Sequence, residues 1–553
     1  MKSIDIRLGW LRYLVSANFW LMSMLAYSTE NTVSITIKHH QTPVLRDLEY
    51  NPIVLLKIES NKSQKLTNLK FDLSGTTDLS DLKSLDIFWS GQDSVFFIQD
   101  WVSKVTDIKE QLGISLNREL SAGVSYIWIS CSIHDEADLL HRLSIQLSTI
   151  SFKSNTHVDL VQDLRGSLYR FGVALRQHGQ DAINTHRIPG LATTGKGTLM
   201  AIYDARRDTG RDLQGDIDIG LNRSFDQGNT WKPIQIIMDM GEWGDLPQKF
   251  NGVSDACILV KGKDIFVAGL WMHGVLDQHG NWVEDLTADS TNWNHQWRDK
   301  GSQPGFGEKQ TAQFLIVKSS DDGYSWSKPV NLTKMCKKED WWLWAPAPGR
   351  GIVMDDGTLV FPTQGRDQHG LPFSNITFSV DNGITWQTSN PASHNTTECA
   401  VAEYEPGKLM LNIRDNRNRV DKSATNGRAI FTTPDKGNNW IEHETSHRAL
   451  VEPVCMGSLY KHAYWVEGKQ KEVLLFSNPN STYQRDKLTI KMSFDAGKSW
   501  PVEHWILLDE GQSRGYSCLT SIDDTTIGIV YEGSRADLVF QKIDLSPFLS
   551  TEK

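Results

Sequence analysis

Three arginines, two glutamates and a tyrosine stand at matching places in separate hairpins, and their chemistry suits anion binding combined with proton transfer. In "RIPGLATTGKGTLMAIYDARR" the turn TTGKGT sets Arg187 opposite Asp204, with Arg206 just beyond. In "ECAVAEYEPGKLMLNIR" the turn at Pro406 sets Glu398 across from Arg414. In "YSCLTSIDDTTIGIVYE" the turn brings Tyr516 to within one position of facing Glu532. Arg485 precedes the strand "KLTIKMSF" and so lies at that strand's far end from the following turn. Antiparallel pairing about a turn fixes such partners, so the ionisable groups gather at the open ends of the hairpins. A lone arginine at a strand end is ordinarily a solvated charge. Three converging guanidinium groups repel one another, and the arrangement makes sense around an anion, a planar carboxylate above all.

The elements that must position these groups announce themselves by repetition. "SFDQGNTW" starts at 224, "SSDDGYSW" at 319, "SVDNGITW" at 379, "TPDKGNNW" at 433 and "SFDAGKSW" at 493, so the starts are 95, 60, 54 and 60 residues apart. Self-similarity at this period marks a β-propeller with one four-stranded blade per unit. The box itself is turn chemistry: an Asp that can bond its own backbone and a Gly that tolerates positive φ. The long first gap holds "WMHGVLDQHGNWVEDLTADSTNWNHQWRDKG", read as an insertion between strands. The expectation is an all-β chain with six blades over residues 156–553, one of them lacking a recognisable box. Over 29–155, short alternating runs such as "VSITIKH", "PIVLLKIES" and "YIWISCSI" predict a separate antiparallel β-sandwich. Nothing catalytic stands out in it, and its pattern admits either a glycan-binding module or a spacing domain.

Composition narrows the partners. A formal charge of −10 gives no general attraction for nucleic acid or anionic membranes, so an anionic ligand needs a local cluster of positive charge. The 20 Trp suit both cores and sugar-facing surfaces. Six scattered cysteines without CxxC spacing indicate neither a zinc site nor a disulfide framework, and read as buried thiols. Lys2, Arg7 and Arg12 ahead of the apolar run from Tyr13 to Tyr27, with Ala26 and Ser28 spaced as at a cleavage site, read as an export signal over 1–28, despite Asp5. The run is too short to span a membrane. The expected location is secreted or periplasmic.

From about residue 170 onward the chain resembles the bacterial exo-sialidases (neuraminidases). "RIPGL", the boxes, "TTECAVAE", "LNIRDNR", "SNPNSTYQRDKLTIK" and "GYSCLT" stand in that family's order. The resemblance implies an arginine triad of Arg187, Arg414 and Arg485 for the sialic acid carboxylate, a nucleophilic Tyr516, and Glu398 as its activating base. Sialidases are the glycosidases that use a tyrosine in this role. It further implies Asp212 in "GRDLQGD" as acid/base, with Asp208 as competitor, Glu532 orienting Arg187, and Arg206 lining the pocket. Asp255 matches a sugar-binding position, although Ser-Asp-Ala replaces the expected Gly-Asp-Pro. Trp271 and Gln364 are candidate lining residues, while Cys399 and Cys518 read as packing. The implied reaction is retaining hydrolysis of terminal sialic acid from glycoproteins, glycolipids or oligosaccharides, without metal or organic cofactor. A trans-sialidase or intramolecular sialidase would share every one of these residues. A non-catalytic sialic-acid lectin would need only the arginines.

Overall fold

The computed structural model describes residues 26–27, 33–153, 157–159, 168–213, 215–242, 248–274, 279, 295 and 302–549. Most of residues 1–28, read above as an export signal, and most of the long insertion lie outside the described residues. Five blades follow the chain. Blade one is built from Thr185–Thr193, Leu199–Arg206, Ile217–Ser224 and Gln235–Met238. Blade two is Asn251–Lys261, Asp264–His273, Gln313–Ser319 and Val330–Asn331, with the long insertion between its second and third strands. Blade three is Leu343–Pro346, Leu359–Arg366, Pro372–Ser379 and Gln387–Thr388. Blade four is Thr396–Glu405, Lys408–Asp415, Ala429–Thr433 and Ile441–Glu442. Blade five is Ser458–Val466, Lys469–Pro479, Leu488–Ser493 and Trp505–Asp509.

Blade six explains the missing box. Its three inner strands, Ser517–Ser521, Thr526–Tyr531 and Leu538–Asp544, come from the C-terminal end, and its outer strand, Leu168–Arg176, comes from before blade one. The boxes connect third to fourth strands. Here no turn joins them, so no box is needed. Pairing Val173 with Phe540 closes the ring by joining the two ends of the propeller in one blade.

Each box is a hydrogen-bonded knot. In the first, Ser224 Oγ donates to Asp226 Oδ1 at 2.8 Å, Gly228 N donates to Ser224 Oγ at 2.8 Å, and Thr230 donates from N and Oγ1 to the two carboxylate oxygens of Asp226 at 2.8 and 2.6 Å. Such bonds favour the ionised carboxylate. In two exposed copies, bonds from Ser325 and Thr385 hold Asp321 and Asp381 down at about 2.

The boxes also join neighbouring blades. A Cβ at Gly228 would stand 2.1 Å from the Phe540 ring of blade six, one at Gly323 2.9 Å from Met200 of blade one, and one at Gly383 2.8 Å from Phe266 of blade two. Gly497 likewise abuts Met410 of blade four. Repetition therefore supplies turns and the packing between successive blades. Gly228 needs the absence of a side chain twice over, because its φ is also 88°. Gly228→Ala is expected to cost about 3 kcal/mol of stability through strain and overpacking. Urea denaturation measures it, and a loss below about 1 kcal/mol would contradict this account.

The N-terminal region forms a six-stranded sheet facing a four-stranded one. Alternating residues such as Leu56, Ile58, Leu69, Phe71, Ile87 and Ile129 fill the space between them. That core is continuous with Phe171, Leu191, Tyr203 and Phe540 of the propeller. The strand Val44–Arg46 adds in parallel to Leu168–Arg176. His40 pairs with Glu510 at 3.1 Å, and Arg535 donates to the Pro52 carbonyl at 3.2 Å. The sandwich thereby buttresses the segment that leads into Tyr516.

Candidate active site

The inner strands deliver the ionisable side chains through irregularities, not through ideal ladders. Register breaks between Arg187 and Gly190, between Ser254 and Cys257, and between Thr396 and Cys399. Such bulges re-aim side chains at a sheet end. Ile188 and Asp255 take left-handed φ values of 59° and 56°, and for Ile188, a β-branched residue, that conformation is costly. The compensation is visible for Ile188: its N–H donates to Glu532 Oε1 at 3.0 Å.

Glu532 and Tyr516 face each other as the turn arithmetic expects, for Glu532 N donates to the Tyr516 carbonyl at 2.9 Å and Ser517 pairs with Tyr531. Arg187 pairs with Asp204, also as expected. Glu398 differs. It falls inside the Thr396–Cys399 bulge and has no ladder partner, yet its Oε2 still accepts from Arg414 Nη1. The bulge turns this side chain toward the axis, where its Oε1 accepts from the Tyr516 hydroxyl.

The three arginines surround one phenol. Arg187 and Arg485 place their guanidinium carbons 5.5 and 5.7 Å from the Tyr516 ring centre, and Arg414 Nη1 lies 3.0 Å from its hydroxyl oxygen. Each is braced. Arg187 Nε donates to Glu532 Oε1 at 2.9 Å, and Arg485 donates to the carbonyls of Arg514 and Val454, each at 2.9 Å. Tyr516 is buried, and burial together with the charge of Glu398 pushes its phenol well up despite Arg414 and Arg485. It is therefore neutral, and its proton is directed at Glu398 Oε1.

Asp212 meets the same cluster from its loop. Its Oδ1 accepts from Arg206 Nη1 at 2.6 Å and from Arg187 Nη1 at 3.1 Å, while its side chain stays 69% exposed. The protein packed around its loop strips part of its hydration, which opposes the charge, but Arg206 and Arg187 outweigh that loss and hold the carboxyl below its ordinary value. Asp208 makes no such contact, its Oδ2 lying beside Gly215. Arg206 is itself buried on Asp204 at 2.8 Å. Asp255 is buried as well. Burial, with the charges of Glu398, Asp204 and Asp212 around it, pushes its carboxyl well above the usual carboxylate range. Gln364 Nε2 reaches Asp255 Oδ2 at 3.3 Å. Trp271 belongs to the core between blades one and two, and all six cysteines are buried and free.

The hairpin count finds Asp204 only as the partner of Arg187, whereas here it carries Arg206 and accepts from Ser254 Oγ at 2.6 Å, and the count gives no sign of Arg514. Their signal is tertiary. A cavity of about 490 Å³ borders the cluster at Glu532 and Arg514, and is otherwise lined by residues such as His178, Gln512, Ser534 and Asp537. Its lining includes none of the groups around the Tyr516 hydroxyl.

Residues 188–516 match the model of the BNR repeat-like domain, and residues 32–156 match that of the N-terminal domain of BNR-repeat neuraminidase. The chain belongs to the BNR-repeat neuraminidase family. As a neuraminidase it is a glycoside hydrolase. It is similar to a sialidase of Bacteroides fragilis (strain YCH46), 37% identical over 93% of this chain and 95% of that one. Among solved structures it resembles the Hadza microbial sialidase Hz136, with a TM-score of 0.83, 36% identity, and coverage of 92% of this neuraminidase and 99% of that chain. Trypanosoma rangeli sialidase in complex with sialic acid superposes with a TM-score of 0.53 at 25% identity, over 69% of this chain and 59% of that one.

Proposed function

We propose that this sialidase is a retaining exo-α-sialidase that releases terminal sialic acid from glycoproteins, glycolipids or oligosaccharides through a glycosyl-tyrosine intermediate. The observation that carries the reading is the short contact of Tyr516 with Glu398 inside a ring of three arginines. The substrate carboxylate enters that ring, and its forked geometry suits guanidinium donors. A carboxylate nucleophile beside it would be repelled by about 4 kcal/mol at 4 Å and an effective dielectric of about 20. A neutral phenol avoids this. Its oxygen attacks the anomeric carbon as Glu398 takes the proton, and Asp212 protonates the departing glycosidic oxygen. Asp212 then removes a proton from water, water displaces the tyrosyl oxygen, and Glu398 returns its proton to the phenolate. Two displacements give net retention. Arg206 and Asp255 are proposed to meet the sugar's substituents, and Glu532 to fix Arg187. Hydrolysis of a 4-nitrophenyl sialoside followed by proton NMR tests this: the first-formed product is the α-anomer of free sialic acid, with or without added lactose. A β-first product would exclude retention, and sialyl transfer to lactose would favour the transferase reading.

The state of Asp212 adds a pH prediction. In the free protein it is held ionised by Arg206 and Arg187, the wrong state for an acid. An entering carboxylate takes over Arg187 and brings a like charge, so the carboxyl rises on binding and takes up a proton. Affinity for free sialic acid therefore weakens as pH rises, by up to about tenfold per pH unit. Calorimetry in buffers of different ionisation heat is expected to register this uptake, and Asp212→Asn to abolish it. Proton-neutral binding between about pH 4 and pH 7 would count against the role of Asp212.

A further inference from the structure

The loop bearing Asp212 is pinned on both sides. After it, Leu213 takes a left-handed φ of 51° and buries its side chain against Leu270, Met272 and Leu343. Before it, the Gly210 carbonyl accepts from Arg206 Nη1 at 2.9 Å and from Arg514 Nη1 at 3.4 Å. Gly210 is the place where Arg514 can come this close. A Cβ there would stand 3.0 and 3.1 Å from the two terminal nitrogens of Arg514 and 3.1 Å from Thr185 Oγ1. Among the described residues Arg514 forms no ion pair, and its hydrogen bond goes to this carbonyl. Its own carbonyl accepts from Arg485 Nη1 at 2.9 Å. The next residue fixes the direction of that main chain: Gly515 has φ 88°, and a Cβ there would meet Pro479 at 2.7 Å. One residue therefore ties the carboxylate-binding Arg485, through its backbone, to the loop of Asp212, through its side chain.

We propose that Arg514 is a positioning residue: it presses on Gly210 and so holds Asp212 at the glycosidic oxygen of the leaving group. The inference rests on Asp212 being the proton donor. Its consequence is selective. A sugar alkoxide departs only with a proton, whereas a nitrophenolate departs readily without one, so a displaced acid harms the first reaction far more than the second. A solvated surface arginine would produce no such difference.

The test compares kcat/KM on 3′-sialyllactose and on 4-nitrophenyl sialoside. Arg514→Ala is expected to lose about thirtyfold on the lactoside and less than about threefold on the nitrophenyl substrate. Gly210→Ala, which dislodges the same guanidinium by another route, is expected to show the same split, and Arg514→Lys to regain part of the loss. Asp212→Ala serves as the reference and is expected to show the largest split. If Asp212→Ala discriminates between the substrates while Arg514→Ala and Gly210→Ala lose equally on both or lose nothing, the role of Arg514 is overturned. If Asp212→Ala itself fails to discriminate, the assignment of Asp212 as acid falls, and the role of Arg514 falls with it.

Discussion

Tyr516→Phe is expected to lower kcat/KM on a fluorogenic sialoside by about 10⁴-fold or more, while leaving the fold intact. The substitution deletes one oxygen. Glu398 keeps its partner Arg414, and the ring keeps its place between Arg187 and Arg485, so the stability change stays within about 2 kcal/mol. On the proposed mechanism, what disappears is the neutral nucleophile in contact with its base, Glu398. The carboxylate of Glu398 then lies where the phenol shielded it, and it must approach a substrate that carries its own negative charge. Incubation with a 2,3-difluoro sialic acid should add one sugar mass to the peptide containing Tyr516 in the parent protein and none in the variant. A variant within about tenfold of parental activity would remove Tyr516 from the mechanism.

Much of this site is legible in the chain because hairpin geometry is local. The turn after Ser521 leads through an unbroken ladder to Ser517 against Tyr531, so the meeting of Tyr516 with Glu532 can be counted from turn residues to within one position, whereas Arg187 reaches Asp204 only across a register break before Gly190. The boxes are legible for the same reason, since the Ser/Thr, Asp and Gly bonds that close the turn span four residues or fewer. The count misses where the ladder is interrupted. Glu398 sits in a bulge that no residue type announces, and the side chain it turns out meets a tyrosine 118 residues away. The closing strand Leu168–Arg176 has no local signature either, because its partner lies at the other end of the chain. Arg514 is the clearest case. In sequence it is one more polar residue before a glycine, and its meaning comes from Gly210, 304 residues distant. Contacts across such separations are set by the closed ring, and the sequence carries them only as a missing side chain.

Arg187→Leu separates the catalytic use of an arginine from its structural one. Activity is expected to fall by about 10³-fold, since the substrate carboxylate loses a forked donor in a buried setting. Stability is expected to fall too, by about 3 kcal/mol at neutral pH, because Glu532 would remain buried without its cation. The pH dependence follows from its carboxyl. In the parent, burial pushes it up, but Arg187 and the N–H groups of Tyr516 and Ile188 hold it below its ordinary value. That contribution is present above the ordinary carboxylate range and is lost as pH falls through the depressed value. Without Arg187, burial is opposed by the two backbone donors and by the more distant charge of Arg514, and the carboxyl moves upward. Protonation then relieves the variant as pH falls, so the stability gap between parent and variant narrows from about pH 7 to about pH 4. Adding Glu532→Gln removes the stranded charge and should recover about 2 kcal/mol at neutral pH, with no recovery of activity. Urea denaturation at the two pH values, beside kcat/KM, resolves the two roles. A gap that is independent of pH and untouched by Glu532→Gln would mean that Glu532 is not what makes Arg187 structurally necessary, and the pairing would matter for substrate alone.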